Sequence, residues 1–454
     1  MKKNILLINP NWTKSKKEKQ FQYNRAWQPL DITIAASMCE NKGFKVKIID
    51  NNVEFYSSEQ IGIISKKFDK IFVTTSPYDR WQCPHFDITP FFDTIQNIVK
   101  DRLYIMGPHV TERYEAFLKY TQAKACILGE PEETIVALCC QQDDNFSEIE
   151  GIAYNQDDKI ILNSKKNYFS NINEMPYPAF NLLPMTKYYY EFMGENFAIL
   201  ESSRGCPYKC SFCYKGMFGS KVRQKNVFRM IDEVKYVIKK FSVKNIYFLD
   251  LEFGLNKNFL TSFCELIIQQ KIKLNWCCQT RVNDVDKDIL KLMKSAGCSL
   301  IHFGIESGSK KILLDIGKNI TLSNAQKAVY RSEEAGIRTA VFLNFGFPFE
   351  TRNDMEKTIN FAIKLNPTYV SFHLIAPFPG TEIAKKSDIN TESFPINKYP
   401  SYNFVHHELM PLKRILMKAY IKFYLRLSYI SKFFKYGYKL NIKQILLFLR
   451  MLKG

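Results

Sequence analysis

Three cysteines at C-x3-C-x2-C spacing, Cys206, Cys210 and Cys213, carry the strongest chemical signal in the chain. They lie in the run Ser203-Arg204-Gly205-Cys206-Pro207-Tyr208-Lys209-Cys210-Ser211-Phe212-Cys213. One loop can converge three thiolates at this spacing on a soft metal centre. A structural zinc site takes four protein ligands, so zinc requires a fourth from Cys264, Cys277, Cys278 or Cys298. A cubane iron–sulfur cluster held by three cysteines keeps one iron open for substrate, and the ligand count favours it.

Such a loop must be positioned by rigid elements. An alternation of strands and helices begins near Phe197, with candidate strands at Phe197 to Ser202, Asn245 to Leu251, Leu274 to Thr280, Leu300 to Ser307, Arg338 to Gly346 and Thr368 to Ala376. Helix-compatible stretches follow five of them. This predicts a partial (β/α)6 barrel, which places chemistry at the C-terminal ends of its strands, and the cysteine run follows the first strand directly. In residues 1–150, five short runs read as strands: Ile5 to Ile8, Lys45 to Ile49, Ile71 to Thr74, Leu103 to Met106 and Ala125 to Leu128. Helical stretches such as Pro29 to Lys42 separate them, which predicts a doubly wound, flavodoxin-like parallel sheet. Its turn-rich strand ends are where such sheets bind ligands. Residues 151–195, punctuated by Met175-Pro176-Tyr177-Pro178 and Leu183-Pro184, read as a linker. The fold class is therefore α/β, with segments 1–150, 151–195, 196–385 and a basic helical region at 386–454.

The cysteine run, with an aromatic before its last member, resembles the signature loop of the radical S-adenosylmethionine (SAM) enzymes. Four later landmarks follow in that family's order. They are Leu249-Asp250-Leu251-Glu252-Phe253, His302-Phe303-Gly304-Ile305-Glu306-Ser307-Gly308, Phe345-Gly346-Phe347-Pro348-Phe349-Glu350-Thr351 and Pro377-Phe378-Pro379-Gly380-Thr381. The resemblance implies that Cys206, Cys210 and Cys213 hold a [4Fe–4S] cluster and that Phe212, Asp250, Glu306 and Gly346 surround SAM. It implies that the reduced cluster cleaves SAM to a 5′-deoxyadenosyl radical, which takes a hydrogen atom from substrate. Leu251 departs from the pair of acids usual after the second strand, and Phe349 stands where glycine is usual. No general acid or base is assigned.

The first segment resembles the cobalamin-binding domain fused to many of these enzymes. Pro29-Leu30, the run Thr75-Ser76-Pro77-Tyr78-Asp79-Arg80-Trp81-Gln82-Cys83-Pro84, the turn Gly107-Pro108-His109-Val110-Thr111 and the turn Gly129-Glu130 carry the likeness. It implies cobalamin contacts at Ser76, Tyr78, Trp81, Gly107, Pro108, His109, Val110, Thr111, Gly129 and Glu130. Met106 replaces a common glycine, and no D-x-H-x-x-G motif offers an axial histidine; His109 also reads as a turn imidazole bonded to backbone. Tyr78 and Trp81 either cover a corrin face or pack the two halves together. The implied activity is methylation of an unactivated carbon, which is no nucleophile toward SAM, in a small molecule or a peptide. An electron donor such as flavodoxin or ferredoxin is the implied partner. A cyclase-type or other non-methylating radical reaction is the alternative, and a non-catalytic metal-binding interaction protein is a third.

Composition bounds these readings. The chain has 454 residues, 24% charged and 46% hydrophobic, which is globular rather than disordered. No apolar run approaches the roughly 20 residues of a spanning helix, and the first residues lack the pattern of a secretion signal. Twelve unevenly spaced cysteines make a poor disulfide scaffold, so a cytoplasmic protein is expected. The net charge is +19, and residues 411–454 hold eleven Lys or Arg without one Asp or Glu. Arg414, Lys418, Lys422 and Arg426 recur every four residues, so a helix lines them up beside Leu416, Tyr420, Tyr424 and Leu427. That helix is expected to dock as a cap, with contact to an anionic membrane as the alternative; charge alone does not argue for nucleic acid.

Overall fold

The computed structural model describes residues 3–12, 25–166, 168–387, 390–399 and 412–435. In the first half, β1 (Asn4–Asn9), β2 (Lys45–Asp50), β3 (Lys70–Thr74), β4 (Leu103–Met106) and β5 (Ala125–Ile127) form a parallel sheet in the order 2-1-3-4-5. Consecutive residues of β1 feed opposite cores: Ile5 and Leu7 join one, Leu6 and Ile8 the other. Helices cover both faces, so the central strands are nearly all apolar, whereas the edge strand β2 exposes Lys45 and Lys47. The order reverses between β1 and β3, which opens a crevice beyond their C-terminal ends.

Part of the expected linker belongs to this sheet. β6 (Ile152–Gln156) pairs antiparallel with β5, and β7 (Lys159–Asn163) pairs antiparallel with β6. Their two-residue turn, Asp157-Asp158, has both residues at positive φ (49° and 60°), the geometry that matches hairpin twist. β7 is half exposed, so its alternation carries little apolar signal. Further along, Tyr188 donates to Asp50 at 2.7 Å and the buried Tyr190 hydroxyl lies 3.1 Å from His302 Nε2. The connector is thus packed against both halves.

The second half contains β8 (Phe197–Leu200), a short hairpin of β9 (Ser203–Arg204) and β10 (Arg223–Gln224), β11 (Asn245–Phe248), β12 (Asn275–Thr280), β13 (Cys298–Glu306), β14 (Arg338–Phe345) and β15 (Tyr369–Leu374). β8 and β11–β15 form an all-parallel sheet in the order 15-14-13-12-11-8, the expected six-stranded partial barrel. All six strands fall within three residues of their expected places.

An incomplete barrel leaves β15 with unpaired backbone groups. The helix Leu412–Tyr424 covers them with tyrosines. Tyr420 Oη accepts the Phe372 N–H and donates to the Phe372 carbonyl, both at 3.1 Å. Tyr424 Oη does the same at Val370, at 2.9 and 2.7 Å, and Tyr429 donates to the Thr368 carbonyl at 2.7 Å. One helical turn roughly matches two strand residues, so tyrosines four apart meet alternate strand positions. Lys418 and Lys422 pair with Glu356, and Arg426 binds Asn366, so much of the basic stripe is engaged by the protein body. Among the described residues no helix is long and apolar enough to cross a membrane.

Candidate active site

The cysteine loop is closed at its base by the β9–β10 hairpin, with Arg204 opposite Arg223. Gly205 has φ +88°, and a Cβ there would collide with the Lys221 carbonyl oxygen, so only glycine lets the chain turn into Cys206. The loop is pinned from both sides: Ser211 N–H donates to the Ile316 carbonyl at 3.0 Å, and Ile383 N–H to the Ser211 carbonyl at 2.9 Å. Lys215 reaches back to the carbonyls of Cys206 and Tyr208. Phe212 packs edge-on against Phe347, 5.9 Å between centroids.

The environment suits a cluster of negative net charge. Arg281 Nη1 lies 3.8 Å from Cys210 Sγ, and its guanidinium stacks 3.9 Å from the Tyr208 ring. Three convergent thiols with cations at hand fit a [4Fe–4S] centre with one open iron. The fourth zinc ligand sought from the barrel is absent, because Cys264, Cys277, Cys278 and Cys298 are buried with one another in the barrel core. Among the described residues no three His, Cys, Asp or Glu side chains close on a single-ion position.

The acids after β11 divide their roles. Both Asp250 oxygens are taken: they accept Ser202 N–H at 2.9 Å and the Ser202 and Ser203 hydroxyls at 2.6 Å each. Burial lifts Asp250 to about 6, with the serine bonds opposing. Its carboxylate therefore fixes the strand end that launches the loop. Glu252 sits instead within electrostatic reach of Cys206 and Lys318, bonded to Arg281 N–H, and burial lifts it to about 8. The sequence resemblance places Asp250 beside SAM and assigns no role to Glu252.

Glu306 ends β13 at a register shift against β14 and has φ +73°, a strained conformation for a non-glycine residue. Lys318 Nζ donates to its Oε1 at 2.8 Å and Asn344 to its Oε2. Its cation is Lys318, and each oxygen keeps acceptor capacity for a ribose hydroxyl. Gly346, at φ +91°, ends β14 and donates its N–H to Glu350 Oε2 at 2.7 Å. Phe212, Asp250, Glu306 and Gly346 all lie at the C-terminal ends of the barrel strands with the cysteine loop, Asp250 being the one bonded to Ser202 and Ser203.

The expected corrin contacts gather at the C-terminal ends of β3, β4 and β5, facing the same loop. Gly107 has φ +110° with Thr75 behind it, Pro108 opens the helix Pro108–Thr121, and Val110 is buried. Thr111 Oγ1 accepts the Gly129 N–H at 3.1 Å and approaches Met217 of the loop. Trp81 and Tyr78 pack on Phe218, 5.3 and 5.7 Å away, and Tyr78 donates to Glu201. Glu130 pairs with Arg223 at 2.8 Å and lies 3.6 Å from Arg204. The His109 ring is spent on Thr75 and on the His85 carbonyl, and burial lowers it to about 4, so it is neutral. Ser76 Oγ and Trp81 Nε1 are buried without hydrogen-bond partners among the described residues. These orphaned donors and the glycine turn fit a polar, planar ligand such as a corrin, and the His109 ring is already engaged.

The description "Radical SAM superfamily" matches residues 200–362. An uncharacterized methyltransferase of Pyrococcus horikoshii is 33% identical over 414 residues, covering 88% of each chain. The anaerobic magnesium-protoporphyrin IX monomethyl ester cyclase of Cereibacter sphaeroides is 24% identical over 448 residues, 93% of this chain and 70% of that one. The fold is shared with the radical SAM methyltransferase TsrM of Kitasatospora setae, solved with cobalamin and a [4Fe–4S] cluster, at TM-score 0.66 and 17% identity over 84% of this chain and 74% of that one. A loop of three thiols at the mouth of a partial parallel barrel defines a SAM-cleaving iron–sulfur enzyme. The chain belongs to the radical SAM superfamily.

Proposed function

We propose that this enzyme transfers a methyl group to an unactivated carbon, using a [4Fe–4S] cluster, SAM and cobalamin. The observation that carries the reading is the apposition of the cysteine loop to the C-terminal ends of β3–β5, through Trp81, Tyr78 and Thr111 against Phe218 and Met217. Cluster, SAM and corrin would then share one chamber. When bound, they supply a 5′-deoxyadenosyl radical and a transferable methyl group.

The residues of this chain bind and orient. Cys206, Cys210 and Cys213 hold the cluster, and Arg281 and Lys318 offset its charge. Glu306 accepts from the ribose hydroxyls, and Glu252, rather than Asp250, faces the methionine end of SAM. Ser76, Trp81 and the Gly107–Thr111 turn seat the corrin, and Tyr78 and Trp81 also weld the two halves together. The setting is a cytoplasmic enzyme reduced by a flavodoxin or ferredoxin, with a small-molecule or peptide substrate.

The test is anaerobic. The cluster is reconstituted, hydroxocobalamin added, and the desalted protein read by ultraviolet–visible spectroscopy, then supplied with SAM and reductant. Stoichiometric retained corrin with formation of 5′-deoxyadenosine and S-adenosylhomocysteine is expected. Replacing Cys206, Cys210 or Cys213 by alanine should abolish deoxyadenosine formation. A cluster that cleaves SAM while no corrin is retained would reject methyl transfer and favour another radical reaction.

A further inference from the structure

The barrel supplies no fourth thiol to the cysteine loop, but the first sheet does. Beyond β3 the chain makes the turn Tyr78–Arg80 and folds back until the Gln82 carbonyl accepts the Tyr214 N–H at 3.1 Å. That bond joins the residue before Cys83 to the residue after Cys213, setting the two cysteines side by side from opposite halves. The Cys83 backbone is itself fixed, its N–H donating to the Arg80 carbonyl at 3.0 Å.

Cys83 has open surface, and Cys213 is partly open. Glu306 and Lys318 act electrostatically on both sulfurs, and Cys83 acts on Cys213. Cys83 thus shares with Cys213 the neighbourhood of Cys210 and of the acid proposed to bind the SAM ribose. Arg80 adds a guanidinium beside Cys83, its Nε buried without a hydrogen-bond partner among the described residues.

We infer that Cys83 is a displaceable fourth thiol ligand, occupying the iron that Cys206, Cys210 and Cys213 leave open and ceding it when SAM arrives. The inference rests on the cluster assignment proposed above. In the exchange the iron–sulfur bond to Cys83 breaks, the amino nitrogen and carboxylate oxygen of SAM bind that iron, and the Cys83 thiolate takes up a proton. No electron moves. Four thiolates place more negative charge on the cluster than three, so the SAM-free form is harder to reduce, and electron entry becomes coupled to SAM binding.

The full chain and its Cys83→Ala and Cys83→Ser variants are reconstituted anaerobically without corrin, and iron is counted. The reduced clusters are titrated with cyanide, a probe of an open iron, under electron paramagnetic resonance. Equal iron loading is expected, with cyanide changing the spectra of both variants well before that of the parent. If Cys83 holds the iron in about nine of ten SAM-free molecules, its removal tightens SAM binding about tenfold. Identical cyanide responses and SAM affinities would overturn the inference while leaving the cluster assignment intact. A folded Cys83 variant unable to retain iron also overturns it, since the ligand would then be obligatory rather than displaceable. A parent chain that takes up zinc and no cluster rejects the underlying assignment and the inference with it. In a corrin-loaded arm, loss of Cys83 that alters the cobalt signal and not the iron signal overturns it too.

Discussion

Arg204 Nη2 lies 2.7 Å from Glu132 Oε1 and both side chains are 1% exposed, although one belongs to the barrel and the other to the first sheet. Around this pair, Glu201 meets the same guanidinium at 2.8 Å and Glu130 bridges towards Arg223. The halves are joined at the base of the cysteine loop by buried charge. Breaking such a network by removing one partner costs about 3–5 kcal/mol, because the remaining charges stay buried. Arg204→Met should therefore lower unfolding stability by that order in urea titrations, and the folded fraction should retain less corrin. A change below the error of the titration would mean that water reaches these carboxylates.

Gly205 sets the direction in which the cysteines leave β9. Gly205→Ala should leave far-ultraviolet circular dichroism nearly unchanged, since no long element is touched. Iron retained after reconstitution should fall severalfold, because the Lys221 carbonyl must move and take the loop with it. Retention at the parent level would show that the loop adapts.

The strands of both sheets were legible because most centre on a short apolar run between turn residues, as in Ile5 to Ile8 or Leu103 to Met106. The hairpin β6–β7 was not, because its outer strand faces solvent and its Asp157-Asp158 turn lacks the glycine that usually marks such a loop. The cysteine triplet was legible because its chemistry is local. The division of labour between Asp250 and Glu252 was hidden, since it depends on which of two neighbouring carboxylates meets Ser202 and Ser203. Cys83 was hidden more deeply: nothing in its local run says that it meets Cys213, and only the docking of one half on the other brings them together. In the basic tail the stripe was visible, but the tyrosines that close β15 gained meaning only from the strand they cover. Residues 436–454 of that expected helical region lie outside the described structure.

Asp31, at the start of the helix Leu30–Asn41, is buried, and its carboxylate meets no side-chain hydrogen-bond partner among the described residues, only the amides of its own helix start. Burial lifts it from 3.8 to about 8, with Glu132 adding to the effect and Arg204 opposing it. The folded protein thus holds a proton that the unfolded chain releases near pH 4, so stability from this group is present at low pH and is lost as pH rises towards 8. Asp31→Asn keeps the shape and removes the titration. Relative to the parent it should gain on the order of a few kcal/mol at pH 8 and little at pH 4. Denaturant titrations at pH 4, 6 and 8 check this, and an equal difference at all three would show that Asp31 is ionised throughout.

Tyr420 and Tyr424 make the last prediction. Each hydroxyl satisfies both the N–H and the carbonyl of one residue of β15, the strand left open by an incomplete barrel. Phenylalanine preserves the ring and removes the hydroxyl, leaving two backbone groups unpaired beneath a packed helix. Each substitution should cost about 1–3 kcal/mol. The double variant should lose more, because the helix Leu412–Tyr424 would then be held to β15 mainly by apolar contact. Amide hydrogen exchange gives the sharper reading: the amides of Val370 and Phe372 should lose protection in the matching variants, while those in the middle of β13 keep theirs. Unchanged protection at Val370 and Phe372 would mean that packing, and not the tyrosine hydroxyls, closes the edge.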